Sequence, residues 1–175
     1  QNRSYLKQTK GSPFYLKLIT TVYIVILNNI LPIGGKMTKK KPNILITGAS
    51  SGIGEALARY YAVTGAGAMF LCGRNRERLE TVKKACERYN IKVYAEVIDI
   101  TDQQKTADWI TRCEKIAPLN IVYANAGVAT LKETPENIYN TFNTNIFGVL
   151  NTLIPVVEIF KNRRDKHKTI VITSS

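Results

Sequence analysis

Between the apolar run ILIT and a longer amphipathic run stands TGASSGIGEAL, with glycines at 48, 52 and 54 and serines at 50 and 51. Residues this small leave room for a main chain to close on an anion. A helix beginning there adds uncommitted N–H groups and the positive end of its dipole. The chemistry such a loop can perform is to cradle a phosphate or pyrophosphate. A glycine-rich turn made only for tight packing is the rival reading. The spacing, from Thr47 to Gly54, is T-G-x-x-x-G-x-G rather than G-x-G-x-x-G.

Other polar groups are spaced along the chain. Arg74, Arg76 and Arg78 follow an apolar run that ends in Cys72-Gly73, and are either anion donors or a solvated helix start. Asp99 closes another apolar run, where a carboxylate can accept from a ligand or cap the next helix, although Thr101 or Asp102 suits the cap better. Asn125-Ala126-Gly127 follows a third run. Asn145 stands inside NTNIFGVLNT, where asparagine has poor helix propensity, and Asn140, Asn143 and Asn151 share that segment. The final TIVITSS places the hydroxyls of Ser174 and Ser175 at the end of one more run.

Something has to hold these groups in place, and the pattern supplies it. NILIT (43–47), AMFLC (68–72), IKVYAEVID (91–99), LNIVYA (119–124) and TIVIT (169–173) read as strands. Amphipathic helices separate them: one beginning at Gly52 with Ile53, Ala56, Leu57 and Tyr60 on its apolar face, one with Leu79, Val82, Cys86 and Tyr89, and one burying Ala107, Trp109 and Ile110. A long helix opens at Thr134 as N-cap with Pro135 in its first turn. Strands that alternate with helices and mostly lack a polar face predict a parallel sheet covered on both sides.

Composition narrows the class. The 175 residues are 45% hydrophobic and 22% charged, which fits one globular domain. The net charge of +12 is unevenly placed: eight cations and no acid precede Pro42, so the other 134 residues carry twelve less eight, or +4. The basic excess belongs to a leader, and no nucleic-acid partner is expected. Three scattered cysteines and one histidine form no ligand cluster, so no metal is expected and the thiols read as reduced packing residues of a cytoplasmic protein. Residues 1–36 precede the first methionine, Met37, and read as upstream translated sequence. The alternative is membrane association through residues 14–33, whose uninterrupted apolar core is shorter than the ~20 residues a spanning helix needs.

The glycine spacing, with the motifs that follow it in order, resembles the single-domain branch of the short-chain dehydrogenase/reductase family. The resemblance runs from Asn43 to Ser175. It implies a Rossmann-type doubly wound parallel sheet, here stopping after the fifth strand, with residues 37–175 as the dinucleotide-binding part. It implies cofactor contacts from Gly48, Ser50, Ser51, Gly52, Ile53 and Gly54. Gly73 stands where an NAD-preferring relative carries an acid, and Arg74 follows, which favours NADP(H) over NAD(H). Asp99 and Ile100 resemble the adenine-binding pair, and Asn125, Ala126 and Gly127 the motif that steadies the central sheet. Ala124 departs from the family's more usual asparagine there. Asn145 matches the asparagine that holds a relay water at a helix irregularity, and Ser175 the hydroxyl that binds the substrate oxygen.

The expected Tyr-x-x-x-Lys is missing, since none of the nine tyrosines has a lysine four residues later. The chain is therefore expected to be the cofactor-binding portion of a longer oxidoreductase of carbonyl or alcohol substrates, inactive alone. Its full-length form is expected to be a homodimer or homotetramer. A membrane-anchored reductase of lipid-like alcohols and a non-catalytic dinucleotide sensor or scaffold are the alternatives.

Overall fold

The computed structural model describes residues 41–130, 132–165 and 167–173. The leader, with the proposed anchor at 14–33, and Ser174 and Ser175 lie outside the described residues. Five parallel strands form one sheet in the order β3-β2-β1-β4-β5: β1 Ile44–Ile46, β2 Ala68–Gly73, β3 Lys92–Val97, β4 Ile121–Ala124 and β5 Thr169–Ile172. Helices α1 (Gly52–Thr64) and α2 (Arg76–Glu87) lie on one face. Helix α3 (Gln103–Ile116) lies on the other, with a long run made of α4 (Pro135–Phe142), a π-helical segment (Asn143–Gly148) and α5 (Val149–Lys161). This is the predicted doubly wound α/β arrangement.

Alternation along the strands explains the two layers. Ile44, Ile46, Met69 and Leu71 point toward α1 and α2, joining Ala58, Ala62, Leu79, Val82 and Cys86. Leu45, Phe70, Cys72 and Val122 point the other way, among Trp109, Ile110, Val156 and Phe160. Every residue of β1 is fully buried. Asparagine and aspartate begin the helices where the main chain needs an acceptor: Asn75 Oδ1 accepts from the Arg78 N–H and Asp102 Oδ1 from the Lys105 N–H. Thr134 does the same for the Asn137 N–H, as its spacing predicts.

Several expectations need correction. Four strands are shorter than predicted. β3 and β5 end early because Ile98, Asp99 and Thr173 turn to the cleft described below. β1 stops at Ile46 before Thr47, whose hydroxyl bonds to the Tyr123 carbonyl, and β4 begins only at Ile121, after Leu119 and Asn120. Helix α1 packs through Gly54, Ala58 and Ala62, while Ile53, Ala56 and Tyr60 are exposed and Leu57 is half-buried. Small side chains at every fourth position let this helix approach the sheet closely, and bulky ones would hold it off. Tyr89 is exposed because α2 ends at Glu87 and the chain turns away through Asn90, whose φ of 59° lies in the left-handed region that asparagine tolerates. Ala107 is only half-buried, whereas Trp109 and Ile110 are buried.

The run Pro135–Lys161 is long and apolar enough to cross a membrane by length and composition. One side of it, Thr152, Val156 and Phe160, is buried against the sheet. The opposite side exposes Tyr139, Phe142, Ile146, Phe147, Leu150 and Ile154. Its C-terminal end is fixed by Lys168 Nζ, which donates to the carbonyls of Phe160 and Arg163, and by Arg163, which pairs with Glu114 and Asp165. Among the described residues β5 pairs with β4 alone.

A dinucleotide-sized cleft at the sheet's switch point

Beyond the carboxyl ends of the strands, where the chain has wound outward from β1 through β2 to β3 and then crosses back to β4 on the other side of β1, opens a cleft of about 570 Å³. In open α/β sheets this crevice is where ligands bind. It brings together residues from all five strand ends: Gly48, Ser50, Ser51, Gly52 and Ile53 after β1, Arg74 after β2, Asp99 and Ile100 after β3, Asn125, Ala126 and Gly127 after β4, and Thr173 after β5. Asn145 joins them from the π segment. Of the candidate site residues, Gly54 lines no part of it, and Ser175 lies outside the described residues.

Gly48 has a φ of +68°, and a Cβ there would stand 2.7 Å from Ala126 Cα, so both conformation and space demand glycine. Gly54 acts behind the cleft. A Cβ on it would overlap the Gly48 carbonyl oxygen and come within 2.7 Å of Asn125 Nδ2. At Gly52, by contrast, an added Cβ meets nothing within 4 Å. Ser51, the N-cap of α1, makes no side-chain cap bond, which leaves the first N–H groups of that helix open toward the cleft. Small residues, open space and free donors together fit a diphosphate.

Thr47 enters the sequence pattern only as the start of the motif, yet it joins the two halves of the site. Its buried Oγ1 donates to the Tyr123 carbonyl and accepts from the N–H groups of Asn125 and Ala126 at 3.0 and 3.1 Å. Asn125 Nδ2 returns a bond to the Thr47 carbonyl at 3.1 Å. No signal in the local sequence marks partners 78 residues away.

The other side of the cleft is held by side-chain amides. Asn145 sits in the π turn, the irregularity expected for it, and there grips the loop after β4. Its Oδ1 accepts from the Val128 N–H at 2.8 Å and its Nδ2 donates to the Val128 carbonyl at 2.9 Å. Asp99 does not cap α3, since Asp102 does. Its Oδ1 accepts from the N–H and hydroxyl of Thr101.

Arg74 and Arg78 both line the cleft and are exposed, and among the described residues no carboxylate lies within ion-pairing distance of either. In the sequence Arg78 is one member of a basic cluster, and its spacing of one helical turn from Arg74 is the signal that places it. Cys72 lies beneath the cleft, and burial pushes its thiol up to about 12 against the smaller opposing effect of a hydrogen bond from the Gly48 backbone. Burial likewise raises the hydroxyls of Tyr61 and Tyr123, which hydrogen-bond to each other at 2.6 Å. Neither the thiol nor either hydroxyl is poised to ionise near neutrality.

A sequence model described as short chain dehydrogenase matches residues 42–175. The chain belongs to the short-chain dehydrogenase/reductase family. It is 31% identical over 136 residues to a 3-dehydrosphinganine reductase of Arabidopsis thaliana, covering 75% of this chain and 40% of that protein. Among solved structures, a 3-ketoacyl-ACP reductase from Sinorhizobium meliloti superposes with a TM-score of 0.67 at 31% identity, covering 77% of this chain and 54% of the other. An alcohol dehydrogenase from the archaeon Thermococcus sibiricus, complexed with 5-hydroxy-NADP, gives a TM-score of 0.62 at 28% identity, covering 69% and 53%. The chain spans about half the length of the relatives it matches. Members of this family are oxidoreductases of small molecules built on a nucleotide-binding fold.

Proposed function

We propose that this chain is the cofactor-binding part of an NADP(H)-dependent short-chain oxidoreductase whose whole form moves a hydride between nicotinamide and a carbonyl or alcohol carbon. One observation carries the cofactor preference: two exposed guanidinium groups, Arg74 and Arg78, line the cleft with no carboxylate paired to them among the described residues, and Gly73 ends β2 where an acid would repel a 2′-phosphate. A forked cation at that place favours the phosphate by charge-assisted bonds.

The nicotinamide, when bound, supplies the hydride. The chain's own residues hold and orient. The open N–H groups of α1 and the loop Gly48–Gly54 take the diphosphate, Asp99 accepts from the adenine amine, and Ile100 packs on the ring. Asn125, Ala126 and Gly127 brace the loop through Thr47. Ser175 is assigned the substrate oxygen, and Asn145 supports the proton relay by pinning the loop that carries Val128. The exposed apolar side of the helical run is the proposed face for a homodimer or homotetramer of the whole protein. The buried, reduced cysteines Cys72, Cys86 and Cys113 suit a cytoplasmic location.

Isothermal titration of NADPH against NADH tests this reading. NADPH is expected to bind at least about tenfold tighter, and Arg74→Ala to remove most of that margin. Tighter NADH binding, or an unchanged margin in the variant, would reverse the assignment.

A further inference from the structure

Asn151 lies on α5, away from the groups assigned to the chemistry, and its amide turns to the loop after β3. Its Nδ2 donates to the Ile100 carbonyl at 2.9 Å and more weakly to the Thr101 carbonyl at 3.4 Å. Both partners are acceptors, so only the amino end of the amide fits there. The Ile100 carbonyl belongs to the same planar unit as the Thr101 N–H. That N–H donates to Asp99 Oδ1 at 3.0 Å, joined by Thr101 Oγ1 at 2.8 Å. One rigid peptide is thus held at its oxygen end by α5, and at its nitrogen end it orients a carboxylate of the cleft.

Gly148 stands one turn before Asn151 and meets the same loop. A Cβ there would come within 2.5 Å of Ile100 Cδ1 and 2.7 Å of its Cγ1. Ile100 is 4% exposed and lines the cleft, so a displaced Ile100 side chain has to move at the cleft's own wall. The two helix residues therefore fix two different properties of one loop: the peptide's orientation and the depth of its side chain.

We infer that Asn151 is a positioning residue for the adenine end of the dinucleotide, acting on Asp99 through the Ile100–Thr101 peptide, with Gly148 setting the seat of Ile100. This rests on the cofactor reading above, in which Asp99 and Ile100 take the adenine. With Asn151 gone, the peptide is free to turn over. The Thr101 N–H then leaves Asp99, and the carboxylate loses its fixed direction.

The test is calorimetric titration of the 175-residue chain with NADPH, with adenosine 2′,5′-bisphosphate as an adenine-end probe, and with reduced nicotinamide mononucleotide as the other end. Asn151→Leu keeps the size of the side chain and removes the donor. It should weaken NADPH and the adenine-end probe about tenfold and leave the mononucleotide unchanged. Equal weakening of both probes would mean a general structural role, and no weakening would mean no role; either overturns the inference. Should Asn151→Leu fail to fold, Gly148→Ala decides. It should weaken the adenine-end probe alone, and in the Ile100→Ala background it should add no further loss, whereas additive losses would overturn the inference. A wild-type chain that binds neither NADPH nor NADH would instead sink the cofactor reading, and this one with it.

Discussion

Along the β1–β4 side of the cleft the closest approaches are between main chains. Gly48 presses on Ala126, Gly54 on the Gly48 carbonyl, and no side chain can be added at either glycine without moving backbone. Along the opposite side, formed by the loops after β3 and β4 where they meet the helical run, the closest links are side-chain amides: Asn145 and Asn151 donate to carbonyls, and Asn145 accepts from an N–H. Thr47 and Asn125 also bond across the first side and Gly148 also limits space on the second, but the backbone obstacles lie on the first and the helix-to-loop amide bonds on the second. Steric exclusion has no graded alternative, because the backbone either clears the obstacle or moves. A hydrogen bond can be lost while the fold persists. The two sides should therefore fail in different ways under substitution.

The largest expected effect is on the steric side. Gly54→Ala should destabilise the chain by more than about 3 kcal/mol, read from urea denaturation, because the obstructing atom is a backbone oxygen that cannot rotate away. A wild-type midpoint would show that this side yields, and the contrast would collapse.

Asn145→Ala comes next. It removes both bonds to Val128 and should cost about 1–2 kcal/mol, with faster hydrogen exchange at the Val128 amide. Unchanged exchange through Gly48–Gly54 would sharpen the contrast, and equal acceleration on both sides would erase it.

The smallest effect lies at the far end of the helical run. The hydrogen bond from Arg163 is the main cause that holds the Asp165 carboxyl below its ordinary 3.8. A folded value below the unfolded one stabilises above the unfolded value and loses that contribution as pH falls through the folded value. Exposure and screening keep it under about 1 kcal/mol. Asp165→Asn should flatten the fall in stability below about pH 4 by no more than that, as measured by denaturation midpoints across the acid range.

The sequence is most informative where one physical rule acts alone. Buried parallel strands have to be apolar on both faces, so β1, β2, β4 and β5 are visible as short apolar runs, while the edge strand β3, with Lys92 and Glu96 exposed, shows by its alternation. Glycines between the first strand and a helix mark a backbone that must come close to something, and the cleft lies there. The sequence misleads where two rules compete. Hydrophobicity along helix α1 favours Ile53 and Tyr60, but the helix's distance from the sheet is set by size, which selects Gly54, Ala58 and Ala62. The cleft residues that carry their own motif are legible. The roles of Thr47 and Asn151 are not, because each is defined by main-chain partners 50 or more residues away, and nothing in a short window encodes them.

The bond between Thr47 and Asn125 has a consequence for the order of events during synthesis. The glycine loop leaves the ribosome first, but the groups that satisfy its buried hydroxyl and carbonyl lie 78 residues later. At about 5–20 residues per second, that gap lasts roughly 4–16 s. During this interval β1, the central strand, has only β2 as a neighbour, and one edge of it waits for β4. The nascent chain passes through a half-sheet with an open apolar edge, which is the kind of surface a chaperone would be expected to shield.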